Sequence, residues 1–129
     1  MKKILTGTIL TFGILIFMSS FTRMNEQTGD AAFTIPDNIN KTLQNSCYGC
    51  HNSESNNSKA KMKLKLDELS TMKKSKLISK LSKIAKSVQK GKMAPEKFEA
   101  KYPEKALNAE QKKELIEWAK TTASSLAGE

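Results

Sequence analysis

Apolar residues recur at helical spacing in three stretches of this chain, and no stretch alternates convincingly as a strand. Ile39, Leu43 and Cys47 follow one another at intervals of four and share one face of a helix that opens at Pro36 and ends at the Cys47 segment. Leu77, Ile78, Leu81, Ile84, Ala85 and Val88 form the stripe of a second helix, Lys73 to Lys90. Its opposite side carries Lys76, Lys80, Lys83, Lys86 and Lys90, and Gly91 just beyond fits a left-handed cap. Leu115, Ile116, Ala119, Thr122 and Ala123 make the inner stripe of a third helix running to about Ser125, bordered by Trp118. Asn108, with Gln111 three residues on, reads as its capping box. Between these stretches the pattern weakens. Asn52 to Ser58 is a polar loop, and Met62, Leu64, Leu66 and Leu69 have mixed spacing that predicts a short helix. Lys92 to Leu107, with Pro95 and Pro103, predicts loop with one turn around Glu96 to Ala100. There is no internal repeat. The pattern predicts an all-α domain of three to four helices.

The N-terminus has a different pattern. Met1-Lys2-Lys3 precedes an apolar run from Ile4 to Phe17, and Ser19 and Ser20 follow. These are the parts of an export signal. Counted through Phe21 the run also reaches the length that spans a bilayer. Residues 1–22 are therefore read as a signal peptide or an N-terminal membrane anchor, 23–34 as a linker and 35–126 as the folded domain. Membrane contact is expected only if the first segment is retained.

Charge narrows the partners. The 129-residue chain has a formal net charge of +9. From Ala31 onward 19 Lys stand against 11 Asp plus Glu, and Lys59 to Lys92 holds 12 Lys against Asp67 and Glu68 alone. A basic balance suits nucleic acid, an anionic membrane, an acidic protein or simply a solvated surface. Export argues against nucleic acid, which leaves an acidic partner protein as the specific expectation.

The two cysteines give the sharpest chemical signal. Cys47-Tyr48-Gly49-Cys50-His51 has the Cys-x-x-Cys-His spacing of c-type haem attachment. At helical pitch the two thiols fall on one side and reach two vinyl groups of one porphyrin, while His51 comes up under the iron. A structural zinc site needs four ligands, and the chain's only Cys and His are these three. An iron–sulfur cluster generally needs four cysteines. A disulfide across two residues would constrain little. The cofactor expected is one haem c, attached through Cys47 and Cys50, with His51 as an iron ligand. No second His exists for the other axial position. Met62, Met72 and Met93 are the sulfur donors of the domain, and a lysine is a further option. Met93 is best placed, in a loop between two helices, with Gly91 before it and Pro95 after it.

Tyr48 between the cysteines, Gly91-Lys92-Met93-Ala94-Pro95, Tyr102-Pro103, Leu107 with Glu110, and Leu115-Ile116-Glu117-Trp118 together resemble the small haem-binding domain of bacterial mono-haem cytochromes c. The resemblance covers Ile35 to about Ala123. It implies a cytochrome c-like fold, Met93 as the distal ligand, and electron transfer outside the cytoplasm, in the periplasm or on the outer face of the cytoplasmic membrane. It implies a carrier rather than an enzyme, working between redox partner proteins. The family usually has Met-Pro-Pro where Ala94 replaces the first proline here. The alternative is a haem-based small-ligand sensor or peroxidase-like enzyme with a labile distal ligand. The aromatics near these elements, Tyr48, Phe98, Tyr102 and Trp118, are as fit for core packing as for lining a haem.

Overall fold

Helix α1 (Asp37–Ser46) begins where Pro36, in extended conformation, hands its carbonyl to the Asn40 N–H at 2.8 Å. The proline thus stands at the cap, one place before the helix. The structure is a computed structural model that describes residues 33–128. The export segment of 1–22 and nearly all of the linker lie outside the described residues. Ile39 and Leu43 of α1 are buried, as their four-residue spacing requires.

Helix α2 (Ser58–Lys63) follows, with the Asn57 side chain accepting the Ala60 N–H at 3.0 Å. A 3-10 turn, Leu66–Thr71, then buries Leu66 and Leu69. The sequence blurred this region into a polar loop and one short helix. The chain instead breaks at Leu64, which is extended, so that Leu66 and Leu69 enter the core on a separate turn.

Helix α3 (Lys74–Gln89) carries the expected stripe inward: Leu77, Leu81, Ile84, Ala85 and Val88 are buried. It ends in a Schellman turn. Gly91 has φ +63°, its N–H donates to the Val88 carbonyl at 3.0 Å, and the Lys92 N–H donates to Ser87 at 2.9 Å. Helix α4 (Glu96–Lys101) and a 3-10 turn, Pro103–Lys105, occupy the proline-bearing stretch. Helix α5 (Ala109–Ala127) starts at the expected capping box, with Asn108 and Gln111 bonding each other's backbone N–H at 2.8 and 3.0 Å.

The fold is all-α, and there is no strand among the described residues. Among the described residues the helix count rises to five because α2 and α4 are helices of six residues each, too short to show a period. Helices α3 and α5 form the main packing pair, and α1 lies against α5. Leu69, Leu81 and Leu115, from three different elements, are fully buried between them. No helix among the described residues is long and apolar enough to cross a membrane. Trp118 packs beside Phe33, their ring centroids 6.4 Å apart.

Candidate haem site

The Cys-x-x-Cys-His segment continues α1 as a tight turn. The Cys47 N–H donates to the Leu43 carbonyl at 2.9 Å, and the Cys47 carbonyl accepts from both Cys50 and His51, at 3.2 and 3.0 Å. This winding is what the two-residue spacer requires, because it returns His51 one turn beyond Cys47. The loop that follows is pinned at several points. Ser55, buried, donates its hydroxyl to the Gly49 carbonyl at 3.3 Å and accepts the Asn57 N–H at 3.1 Å. The Asn52 side-chain amide donates to the Tyr48 carbonyl. The Ser53 N–H donates to both Asp67 oxygens at 3.1 Å, which ties the loop to the 3-10 turn. Hydrogen bonding by Ser53, from its side chain first and its N–H second, holds the Asp67 carboxyl below its usual range.

His51 is buried, 9% exposed. Its Nδ1 lies 3.1 Å from the Ala60 carbonyl oxygen. A carbonyl only accepts, so Nδ1 carries a proton, and the neutral imidazole keeps its lone pair on Nε2. An imidazole oriented by a backbone carbonyl through one nitrogen is the arrangement of a metal ligand that binds through the other. The His51 carbonyl accepts the Leu66 N–H at 2.9 Å, so its backbone is fixed as well. Helix α2, which the sequence pattern did not resolve, therefore supplies the group that sets the tautomer.

Cys47 and Cys50 are both free thiols and half-buried. Burial, and to a smaller degree the Cys50 thiol beside it, pushes the Cys47 thiol up to about 11. Cys47, Cys50, His51 and Met93 all line a single cleft of about 490 Å3. Its size lies within the ordinary range for a small-molecule or cofactor site. Its walls are largely apolar: Leu43 from α1, Leu64 after α2, Ile84 and Val88 from α3, Phe98 from α4, Leu107, and Leu115 from α5.

Met93 reaches the cleft because the Gly91 turn reverses the chain at the end of α3. It is half-buried and also touches the hydrophobic core. The other two methionines separate. Met72 packs against the core away from the cleft. Met62 is 76% exposed and lies at the cleft rim. Of the four aromatics the sequence left undecided, Phe98 alone lines the cleft.

These features test whether a haem fits. An apolar cleft suits a porphyrin, the free thiols suit attachment, and the exposed lone pair of His51 suits iron. Among the described residues no three His, Cys, Asp or Glu side chains stand close enough to hold a bare metal ion. His51 is the chain's one nitrogen donor of this kind.

A family model described as "Haem-binding domain" matches residues 55–121, just over half of the chain. The chain belongs to the haem-binding domain family. The match takes in the Ala60 carbonyl, α3, the Met93 loop and most of α5, and it begins just after the Cys-x-x-Cys-His motif. No curated protein and no solved structure matches. The haem-binding domain therefore has haem as its cofactor.

Proposed function

We propose that this haem-binding domain is a mono-haem c-type cytochrome that carries single electrons between redox partners outside the cytoplasm. The observation that carries the reading is the convergence, in one apolar cleft, of two free thiols, an imidazole with its Nε2 left open, and a thioether. Cys47 and Cys50 are the anchors. Their thioether bonds to the two vinyl groups would hold the haem covalently, with no net change of oxidation state. His51 and Met93 would be the residues that hold its iron.

The haem supplies iron that cycles between ferrous and ferric states. The chain's residues do the rest. The Ala60 carbonyl holds His51 in one tautomer and raises its basicity as a ligand. Met93 offers a soft sulfur, which favours the ferrous form and raises the potential. Leu43, Ile84, Val88, Leu107 and Leu115 exclude water, which keeps the change in solvation small as the charge changes. Among the described residues the cleft lining contains no arginine and no second histidine to assist a peroxidase-like reaction.

The basic surface and the export segment complete the proposal. Lys76, Lys83, Lys86 and Lys90 are exposed along α3, a strip suited to speeding encounter with an acidic redox protein. Residues 1–22 would place the domain in the periplasm or on the outer face of the cytoplasmic membrane.

The test is optical. Oxidised holoprotein should be low-spin and show the weak near-infrared band of an iron–methionine bond. Met93→Ala should remove that band and open the reduced iron to carbon monoxide, while Met62→Leu and Met72→Leu keep it. Rapid carbon monoxide binding by the wild type would instead place a ligand-sensing haem ahead of the carrier.

A further inference from the structure

The cleft is largely apolar, and the charged residues that line it are all of one sign. Lys63, at the end of α2, and Lys80 and Lys83, on α3, are the charged side chains that line it. Among the described residues no aspartate or glutamate lines it. A haem is itself an amphipathic ligand, with an apolar macrocycle and two propionate carboxylates on one side. Two carboxylates placed against Leu64, Phe98 or Leu115 would lose their hydration with nothing in return. We propose that Lys80 and Lys83 form the propionate-binding edge of the cleft and so set which way the haem faces. The inference rests on haem occupying this cleft.

Lys80 departs from the solvated strip that helical spacing predicts. It is half-buried, whereas Lys76, Lys83, Lys86 and Lys90 are exposed. Its Nζ donates to the carbonyl oxygen of Lys63, the last residue of α2, which holds the ammonium across the α2–α3 gap. An ammonium has three donors, so two remain for an anion. The side chain is thus fixed at the cleft before any carboxylate arrives, which lowers the entropic cost of binding one. Burial first, then the Lys83 and Lys76 charges, draws the Lys80 ammonium below the usual lysine range, and an anion between Lys80 and Lys83 would relieve both effects. Lys83 lies one turn further along α3 and is exposed, so it reaches the same edge from the solvent side.

The arrangement has a functional consequence. With the carboxylates held beside α3, the opposite porphyrin edge would face Cys47, Cys50 and the attachment turn. Part of the lysine strip is then neutralised by the cofactor, and Lys76, Lys86 and Lys90 remain for a partner.

Holoprotein carrying haem labelled with carbon-13 at its propionate carboxyls tests the proposal. The pKa of each carboxyl is read by NMR in the reduced state. A cation within about 4–6 Å lowers a carboxyl pKa by about 1 or more, so its removal gives the reverse. Lys80→Gln and Lys83→Gln should each raise one propionate pKa by about 1, and Lys80→Arg should keep the wild-type value. Lys86→Gln and Lys90→Gln change the net charge equally and should leave both carboxyls unmoved. If Lys80→Gln does not yield holoprotein, Lys83→Gln carries the test. Bound labelled haem whose propionates respond to neither cleft lysine, or respond no more than to Lys86→Gln, overturns the inference alone. Wild type that takes up no labelled haem overturns the reading of the cleft itself.

Discussion

Gly91 delivers Met93 to the cleft, and the cost of replacing it can be worked from its geometry. Its φ is +63°, and nothing lies within 4 Å of where a Cβ would stand. A substituted side chain therefore meets no steric obstacle, and the whole effect is conformational. An L-residue in the left-handed region costs about 1–2 kcal/mol. Alanine also narrows the unfolded ensemble, which returns about 0.4–1 kcal/mol. Gly91→Ala should then destabilise the holoprotein by about 1 kcal/mol, or about 4–8 °C in Tm for a domain of this size. Gly91→Val, β-branched, should cost more. The assay is thermal unfolding of the holoprotein followed by circular dichroism. A D-alanine introduced by semisynthesis is the control, since its preferred backbone matches the turn and space is open for its methyl. It should equal or slightly exceed the wild type. Equal losses for L- and D-alanine would refute the conformational argument and point to steric contact at the turn.

Three further outcomes follow from named contacts. Leu115→Ala, at a fully buried position that also lines the cleft, should destabilise by about 2–5 kcal/mol, measured by denaturant titration. Asp67 has a lowered carboxyl pKa because Ser53 bonds its charged form, so its contribution to stability is present above the unfolded carboxylate value and is lost as pH falls through the folded one. Asp67→Asn should therefore flatten the acid limb of the stability curve while leaving haem content unchanged. Replacing Lys76, Lys86 and Lys90 by Glu should slow second-order electron transfer to an acidic partner without altering the haem spectrum, and the wild-type rate should fall as salt rises.

Much of the candidate site was legible in the sequence because its signals are local. Cys47, Cys50 and His51 form a five-residue motif, Gly91 terminates a clean stripe, and Asn108 with Gln111 completes a capping box in four residues. Strong periodicity over α3 and α5 made the all-α fold readable. What escaped was short or non-local. Helix α2 has six residues, fewer than two turns, so no period could reveal it. Its Ala60 carbonyl meets His51 across a loop, a contact that spacing does not encode. Phe98 lies on another six-residue helix, and its choice of cleft over core depends on how α4 packs. Lys80 sits at the edge of its polar face, and whether such a residue faces solvent or a neighbour depends on α2 being there.

Denaturing mass spectrometry tests the central claim most directly. Holoprotein produced with a c-type maturation system should, after unfolding in acid and organic solvent, have the mass of the polypeptide plus one complete haem. Cys47→Ala or Cys50→Ala should sharply lower the yield of that species, leaving at most one thioether bond. A wild-type chain that loses its haem on unfolding and shows the bare polypeptide mass would contradict covalent attachment, and with it the c-type assignment.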